Sequence, residues 1–282
     1  MADDEATTMK RQKRLGSGSL IRKIAKHVGL RRHHLASARM WVERNVLASN
    51  PFARTRQRAR ILCYHSIGQT VSGVNDVRPA QFRRHIELAL QSGFQFVPAS
   101  KIARSGGSPE HLAITFDDGW ASVLTQAAPV LRDYSVPWSL FIVSTWSDHA
   151  LPWTKDLILP WRDIHSLMQA GAEIGSHSAT HPDFGSIGRL QIIDELYGSR
   201  DTIEKHLGVA PKAFAIPLGG SGNWTPVAAK IAQEAGYELV YAQAEEARPN
   251  GSIPRTFVSC FDSDRIFTAL LAGAYDCWEE WV

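Results

Sequence analysis

Cysteine is scarce and scattered. Cys63, Cys260 and Cys277 are the only three in 282 residues. An odd count without a CxxC pair excludes a disulfide framework and a cysteine-based zinc site. Long apolar runs are missing as well, and none approaches the ~18–20 residues of a membrane span. The N-terminus carries Asp3, Asp4 and Glu5, with no apolar stretch of signal-peptide length behind them, so the chain reads as cytoplasmic. There is no internal repeat. Acidic residues are sparse at one end: residues 1–60 hold 15 Lys and Arg against 4 Asp and Glu, a charge of +11, whereas residues 61–282 carry −8. The net +3 thus conceals a basic arm on an acidic body.

The arm favours anionic surfaces. From Leu20 its apolar residues fall near one helical face, with Leu20, Ile21, Ile24, Val28 and Leu35 among Arg22, Lys23, Lys26, Arg31 and Arg32. Such a segment suits peripheral contact of residues 20–60 with an anionic membrane, or packing on the body as an ordinary helix. No stacking aromatics or nucleic-acid motif accompany the charge, so nucleic acid is not an expected partner. Asn50-Pro51 and Arg54–Arg60 read as a linker. This divides the chain into a partly helical extension, 1–59, and a body, 60–282.

Through the body, strand and helix signals alternate. Short strand-like runs such as Arg60–Ile67, the stretch from His111 into Asp117-Asp118, Trp138–Val143 and Ala213–Ile216 lie between amphipathic segments such as Pro79–Ser92, Trp120–Tyr134, Leu190–Leu207 and Thr225–Ala235. Alternation of this kind predicts an α/β fold with a parallel sheet and helical crossovers. The residues with chemical potential fall just past the ends of predicted strands: His65, Asp117, Asp118, His177 and Leu218. In barrel-type α/β folds that is the active-site face.

Asp117 and Asp118 are adjacent at a strand end, and two carboxylates there need a cation, a proton or water. His177 follows 59 residues after Asp118 and opens His177-Ser-Ala-Thr-His181. Two imidazoles and a carboxylate form a common ligand set for a catalytic divalent metal with an open position. Histidines at i and i+4 share a face if the segment makes a helical turn. A cation held there lowers the pKa of water to ~7, Asp117 is free to act as general base, and a histidine suits the general acid. Each piece alone has a plainer reading: Asp-Asp-Gly as a turn with a helix cap, HxxxH as a chance spacing among eleven histidines. Trp120, Trp146, Trp153 and Trp224 lie near predicted loop ends, where they can stack on sugar rings or pack in the core.

These motifs carry a resemblance. Thr115-Phe-Asp-Asp-Gly119 and His177-Ser-Ala-Thr-His181, in this order and at this separation, resemble the first two motifs of the polysaccharide deacetylase family, the NodB-homology domain of carbohydrate esterase family 4. Ala215-Ile-Pro-Leu-Gly219 is similar to a loose form of its third motif, and the likeness covers roughly residues 60–275. It implies a distorted (β/α)7-type barrel that removes the N-acetyl group from an acetamido sugar. Asp118, His177 and His181 would hold a divalent metal, usually zinc, with Asp117 as base and the Leu218 N–H donating to the oxyanion. Two departures stand out. The third motif lacks the family's arginine, and no histidine follows His206 to serve as late acid. Tyr64-His65 resembles the branch of poly-N-acetylglucosamine deacetylases, which implies His65 as the acid. Arg255 is a candidate to support Asp117 or a substrate anion. The substrate expected is an N-acetylated glycan or lipid-linked sugar of envelope or exopolysaccharide biosynthesis, met at the inner membrane face. A deformylase of a lipid-linked amino sugar would use the same site, and a non-catalytic sugar-binding protein is the rival of a different class.

Overall fold

The computed structural model describes residues 32–49, 58–149 and 151–278. The chain divides into two compact units, residues 1–45 and 46–282. The first unit is described only from its helix α1 (Arg32–Ala48), which runs across the boundary. The expected helix from Leu20 lies outside the described residues as far as position 31, as does most of the expected linker.

The second unit is organised by parallel strands: β1 (Arg60–Tyr64), β4 (Gln95–Phe96), β5 (His111–Phe116), β6 (Trp138–Ile142), β7 (Glu173–Ser176), β8 (Ala213–Ala215), β9 (Leu239–Tyr241) and β10 (Thr256–Phe257). Their order is β10-β1-β5-β6-β7-β8-β9, and β4 pairs with the start of β5. Every pair is parallel. Ile253 bridges Tyr241 of β9 just before β10 pairs with β1, so one segment touches both ends of the curled sheet. Its helices include α2 (Pro79–Gln91), α3 (Ala99–Ser105), α4 (Ala128–Asp133), α5 (Ser144–Ser147), α6 (Trp161–Gln169), α7 (Arg189–Leu207), α8 (Pro226–Glu234) and α9 (Asp264–Leu271). This is the curled parallel sheet with surrounding helices expected of a (β/α) barrel.

Strands in such a sheet are covered on both faces, so they read as near-continuous apolar runs. The two faces still differ because side chains alternate. Leu62, Tyr64, Leu112, Ile114 and Phe116 join the core beneath the helices, with Phe82, Ile86 and Phe267. Ile61, Ala113, Phe141, Ala215 and Tyr241 form a separate core with Val97 and Ile102. The alternation places Asp117 on the same face as Ala113 and Thr115. Gly175 in β7 is needed on that side, because a Cβ there would lie 2.5 Å from the Phe141 ring.

Local signals set the helix ends. Thr225 accepts a hydrogen bond from the Ala228 N–H, with Pro226 in the first turn behind it, which is the usual start of a stable helix. Gly208 ends α7 in the left-handed conformation at φ 76°. Two features differ from the sequence reading. The expected helix over 120–134 contains a wide π turn at Val123–Ala127 before α4, and Pro129, lacking an N–H, cannot continue regular α-helical bonding there. The run expected as one strand over Arg60–Ile67 breaks at His65, and its end, β2 (Ser66–Ile67), forms a small parallel pair with an unanticipated β3 (Asp76–Val77). It is too short to leave a periodic signal.

Candidate active site

Register builds the site. Tyr64 pairs with Phe116, so His65 and Asp117 leave neighbouring strands side by side, and the Asp117 N–H donates to Tyr64 O at 3.0 Å. Ile142 pairs with Ser176, and the His177 N–H donates to Ile142 O at 2.8 Å. The chain then bends sharply. Asp118 and Gly119 have φ of 73° and 82°, Ser178 and His181 have 71° and 64°, and Leu218 has 63°. Four of these five are not glycine, a conformation costing ~1–3 kcal/mol each that persists where surroundings over-determine it.

Asp117 is fully buried and meets Arg255 in a two-pronged pair: Nη1 donates to Oδ1 at 2.6 Å and Nη2 to Oδ2 at 2.7 Å. Arg255, also fully buried, is aimed by two further bonds, Nε to Ala242 O at 2.8 Å and Nη1 to Thr115 Oγ1 at 3.2 Å. Burial alone would raise the Asp117 carboxyl. Arg255 above all, with His177 and His65, outweighs it and holds the group well below the usual carboxylate range. Burial likewise opposes the charge of Arg255, and Asp117 overcomes it. The Cys63 Sγ lies 3.4 Å from Asp117 Oδ2, and burial pushes its thiol well up, so it stays protonated and faces the carboxylate as a donor.

Asp118, His177 and His181 present ligand atoms within 4.8 Å of one another. Each histidine Nε2 is 3.6 Å from Asp118 Oδ1. His177 Nδ1 lies 2.9 Å from Ala215 O. A carbonyl can only accept, so the proton sits on Nδ1 and the Nε2 lone pair faces Asp118. Burial lowers the His177 pKa to about 4, and nearby His181 works the same way against Asp117 and Asp118, so the imidazole is neutral at pH 7. One carboxylate and two neutral imidazoles, one with its outer nitrogen anchored on a carbonyl, fit a divalent metal. Cys63, His65 and Asp117 also cluster within 4.8 Å. There the protonated thiol and the guanidinium already facing Asp117 disfavour a cation.

The His177–His181 segment is a loop, not the helical turn that would put i and i+4 on one face. Glu195 of α7 shapes it: Oε2 accepts from Ala179 N at 2.9 Å and Thr180 N at 2.8 Å, and Oε1 from Thr180 Oγ1 at 2.5 Å. Ser176 Oγ and Ser178 Oγ accept from Ser178 N and His181 N. The two imidazoles end 4.8 Å apart in a T-shape. Glu195 was not anticipated, since nothing in its helical sequence separates an inward carboxylate from a solvated one.

His65 is nearly buried, edge-on to Phe257, and its Nδ1 has no hydrogen-bond partner among the described residues. Leu218 begins the turn after β8, and its N–H donates to no protein acceptor among the described residues. The turn is held by Gln243 N to Gly219 O at 2.9 Å. Trp224 is a core residue packed on Phe184 and Phe214, whereas Trp146 stacks on His181, Trp120 donates to Asp118 and Trp153 packs outside both.

A carboxylate and two imidazoles thus lie beside a buried Asp–Arg pair at the C-terminal ends of parallel strands. Residues 104–240, just under half of the chain, match the family model described as polysaccharide deacetylase. The matched segment contains Asp117, Asp118, His177, His181 and Leu218; His65 and Arg255 lie outside it. The protein YxkH of Bacillus subtilis (strain 168) is 24% identical over 186 residues, 64% of this chain and 62% of YxkH. A chitooligosaccharide deacetylase of Sinorhizobium fredii is 29% identical over 92 residues, 32% of this chain and 38% of that protein. The chain thus spans less than two thirds of either relative's length. The deacetylase PplD of Streptococcus pyogenes, solved in complex with acetate, superposes with a TM-score of 0.65 at 21% identity, over 78% of this chain and 99% of that one, which shows the shared fold.

Proposed function

We propose that the protein is a metal-dependent carbohydrate N-deacetylase that hydrolyses the acetamido group of an N-acetylated sugar in a glycan or lipid-linked saccharide of envelope or exopolysaccharide biosynthesis. The observation that carries this reading is the set Asp118, His177 and His181 lying against the buried Asp117–Arg255 pair.

Asp118, His177 and His181 would hold the divalent metal, with zinc the expected ion, and a metal there supplies Lewis-acid polarisation and a more acidic water. Asp117 stays ionised at neutral pH and therefore always accepts a hydrogen bond from the attacking water. Arg255 fixes both carboxylate oxygens, so the remaining lone pairs point in one direction. This supplies the orientation that the arginine missing from the third motif would otherwise provide. The Leu218 N–H, which donates to no protein acceptor among the described residues, would donate to the developing oxyanion. His65, with a free ring nitrogen beside Asp117, is the group to protonate the departing amine. The charge of +11 on residues 1–60 supports peripheral contact with anionic lipid, and loss of liposome co-sedimentation on deleting residues 1–50 is the expected result.

The test is metal content together with acetate release from N-acetylglucosamine oligomers, for wild type and Asp117→Asn. About one metal per chain in both proteins, with acetate release lost only in the variant, is expected. Bound metal without acetate release by the wild type from these oligomers or from a lipid-linked N-acetylhexosamine would refute the deacetylase reading.

A further inference from the structure

A second cavity lies at the other end of the barrel. It holds about 290 Å³ and sits where β6, β7 and β9 begin, between α3 and the end of α7. Phe141 and Tyr241, with ring centroids 5.2 Å apart, form part of its wall, and Met168, Ile203, Leu207 and Leu239 supply more apolar surface. In barrel-type folds this face serves stability, for which apolar side chains would suffice.

Two polar groups nevertheless line it. Glu173, the first residue of β7, accepts from Ser139 Oγ at 2.8 Å, from Ser100 N at 3.4 Å and from Ser100 Oγ. These bonds fix the carboxylate, and a carboxylate has room for about four in all. Tyr241 is 1% exposed, and its hydroxyl makes no hydrogen bond to protein among the described residues. Burial pushes the pKa of that hydroxyl up, and Glu173 works the same way. The hydroxyl therefore stays protonated, within reach of the Glu173 field, and can still both donate and accept. A buried polar group left without a partner is costly, so its partner must come from what fills the cavity. The rim carries Arg104 and Lys212, and both are paired with Glu238 at 2.8 Å. Together with Glu173 these two cations and two carboxylates sum to zero, so the surroundings favour neither an anion nor a cation.

We infer that this cavity is a binding site for a small neutral molecule with an apolar body and one hydroxyl group. The hydroxyl donates to Glu173 and accepts from the Tyr241 O–H, while the body lies against the apolar wall. A phenol has this form. The volume suits it, since a cavity of ~150 Å³ can hold benzene and pockets for larger ligands begin near ~300 Å³. The wall is built from strands and helices, so little ordering is needed when a guest settles there. The inference does not rest on the deacetylase reading, because the two sites lie at opposite ends of the strands.

The experiment titrates 4-methylphenol and toluene, which differ only by the hydroxyl, into the full chain by calorimetry. Wild type is expected to bind 4-methylphenol about tenfold more tightly than toluene, the worth of the hydroxyl's hydrogen bonds. Tyr241→Phe should weaken 4-methylphenol about fivefold, the worth of one such bond, and leave toluene unchanged. This variant keeps the ring and breaks no protein hydrogen bond, so it should melt as the wild type does. Ala210→Trp, at the cavity's edge, should abolish binding of both probes. No saturable binding, equal affinity for the two probes, or unchanged 4-methylphenol affinity in Tyr241→Phe overturns the inference. So does tighter binding of benzylamine or benzoate, which would show a charged guest, or full binding in Ala210→Trp, which would place the probe elsewhere.

Discussion

At the scale of single residues, the Asp117–Arg255 pair dominates. Both groups are fully out of water, so each depends on the other. Removing one partner of a buried pair costs about 3–5 kcal/mol, because the remaining charge has no counter-ion. Arg255→Met should therefore lose that much in urea unfolding and also lose turnover, since Asp117 is no longer aimed. The same pair sets a pH dependence. Asp117 has its folded pKa depressed, so its contribution to stability is present above the unfolded carboxyl value of ~4 and is lost as pH falls below it. In metal-stripped protein, the wild type should lose stability on that acid side more steeply than Arg255→Met, and parallel acid unfolding curves would contradict the assignment.

Among elements, the loops beyond the strands decide the geometry, and their anchors lie on helices and neighbouring turns. Glu195 is a positioning residue. It reaches from α7 to hold two N–H groups and a hydroxyl of the loop between His177 and His181. Its loss should loosen both of the proposed metal ligands His177 and His181 together. Glu195→Ala is expected to weaken metal affinity about 10- to 100-fold, while Glu195→Gln, which keeps an acceptor for the two N–H groups, should recover most of it; competition with a chromogenic chelator reads both. Gly175 in β7 offers a second test. A methyl there meets the Phe141 ring and comes to 3.0 Å from Ala213 O. Gly175→Ala should cost about 1–3 kcal/mol by overpacking, seen as a lower urea midpoint at unchanged slope.

For the molecule as a whole, closure of the curled sheet matters most. Arg60, at the start of β1, is buried and paired with Glu245 at 3.1 Å and Asp276 at 2.6 Å, and it donates to Thr256 Oγ1 at 2.5 Å. These partners come from the loop after β9, from β10 and from the segment after α9, so the first strand is locked to the last part of the chain. The family match ends at residue 240, yet Arg255, β10 and α9 lie beyond it. A chain ended at residue 250 would lose the guanidinium facing Asp117 and part of the core around Phe267 and Leu270. It should show no cooperative thermal transition by circular dichroism. A sharp melt of that fragment would show that the matched region stands alone.

The alternation of apolar runs with amphipathic segments was enough to read a parallel sheet with helical crossovers, because burial on both faces imposes that composition locally. Asp117, Asp118, His177 and His181 were legible too, since each follows directly on a strand whose end is marked by its own residues. What tertiary structure alone decided involves partners far apart in the chain. Arg255 meets Asp117 across 138 positions, and Glu195 turns inward onto the ligand loop. Trp146 stacks on His181 and Trp120 bonds Asp118, while Trp224 goes to the core. The HxxxH segment bends through left-handed residues instead of making the helical turn that would put positions i and i+4 on one face. Sequence periodicity reports which face of an element is buried. Which groups meet there depends on strand register and curl, set by the packing of the whole sheet.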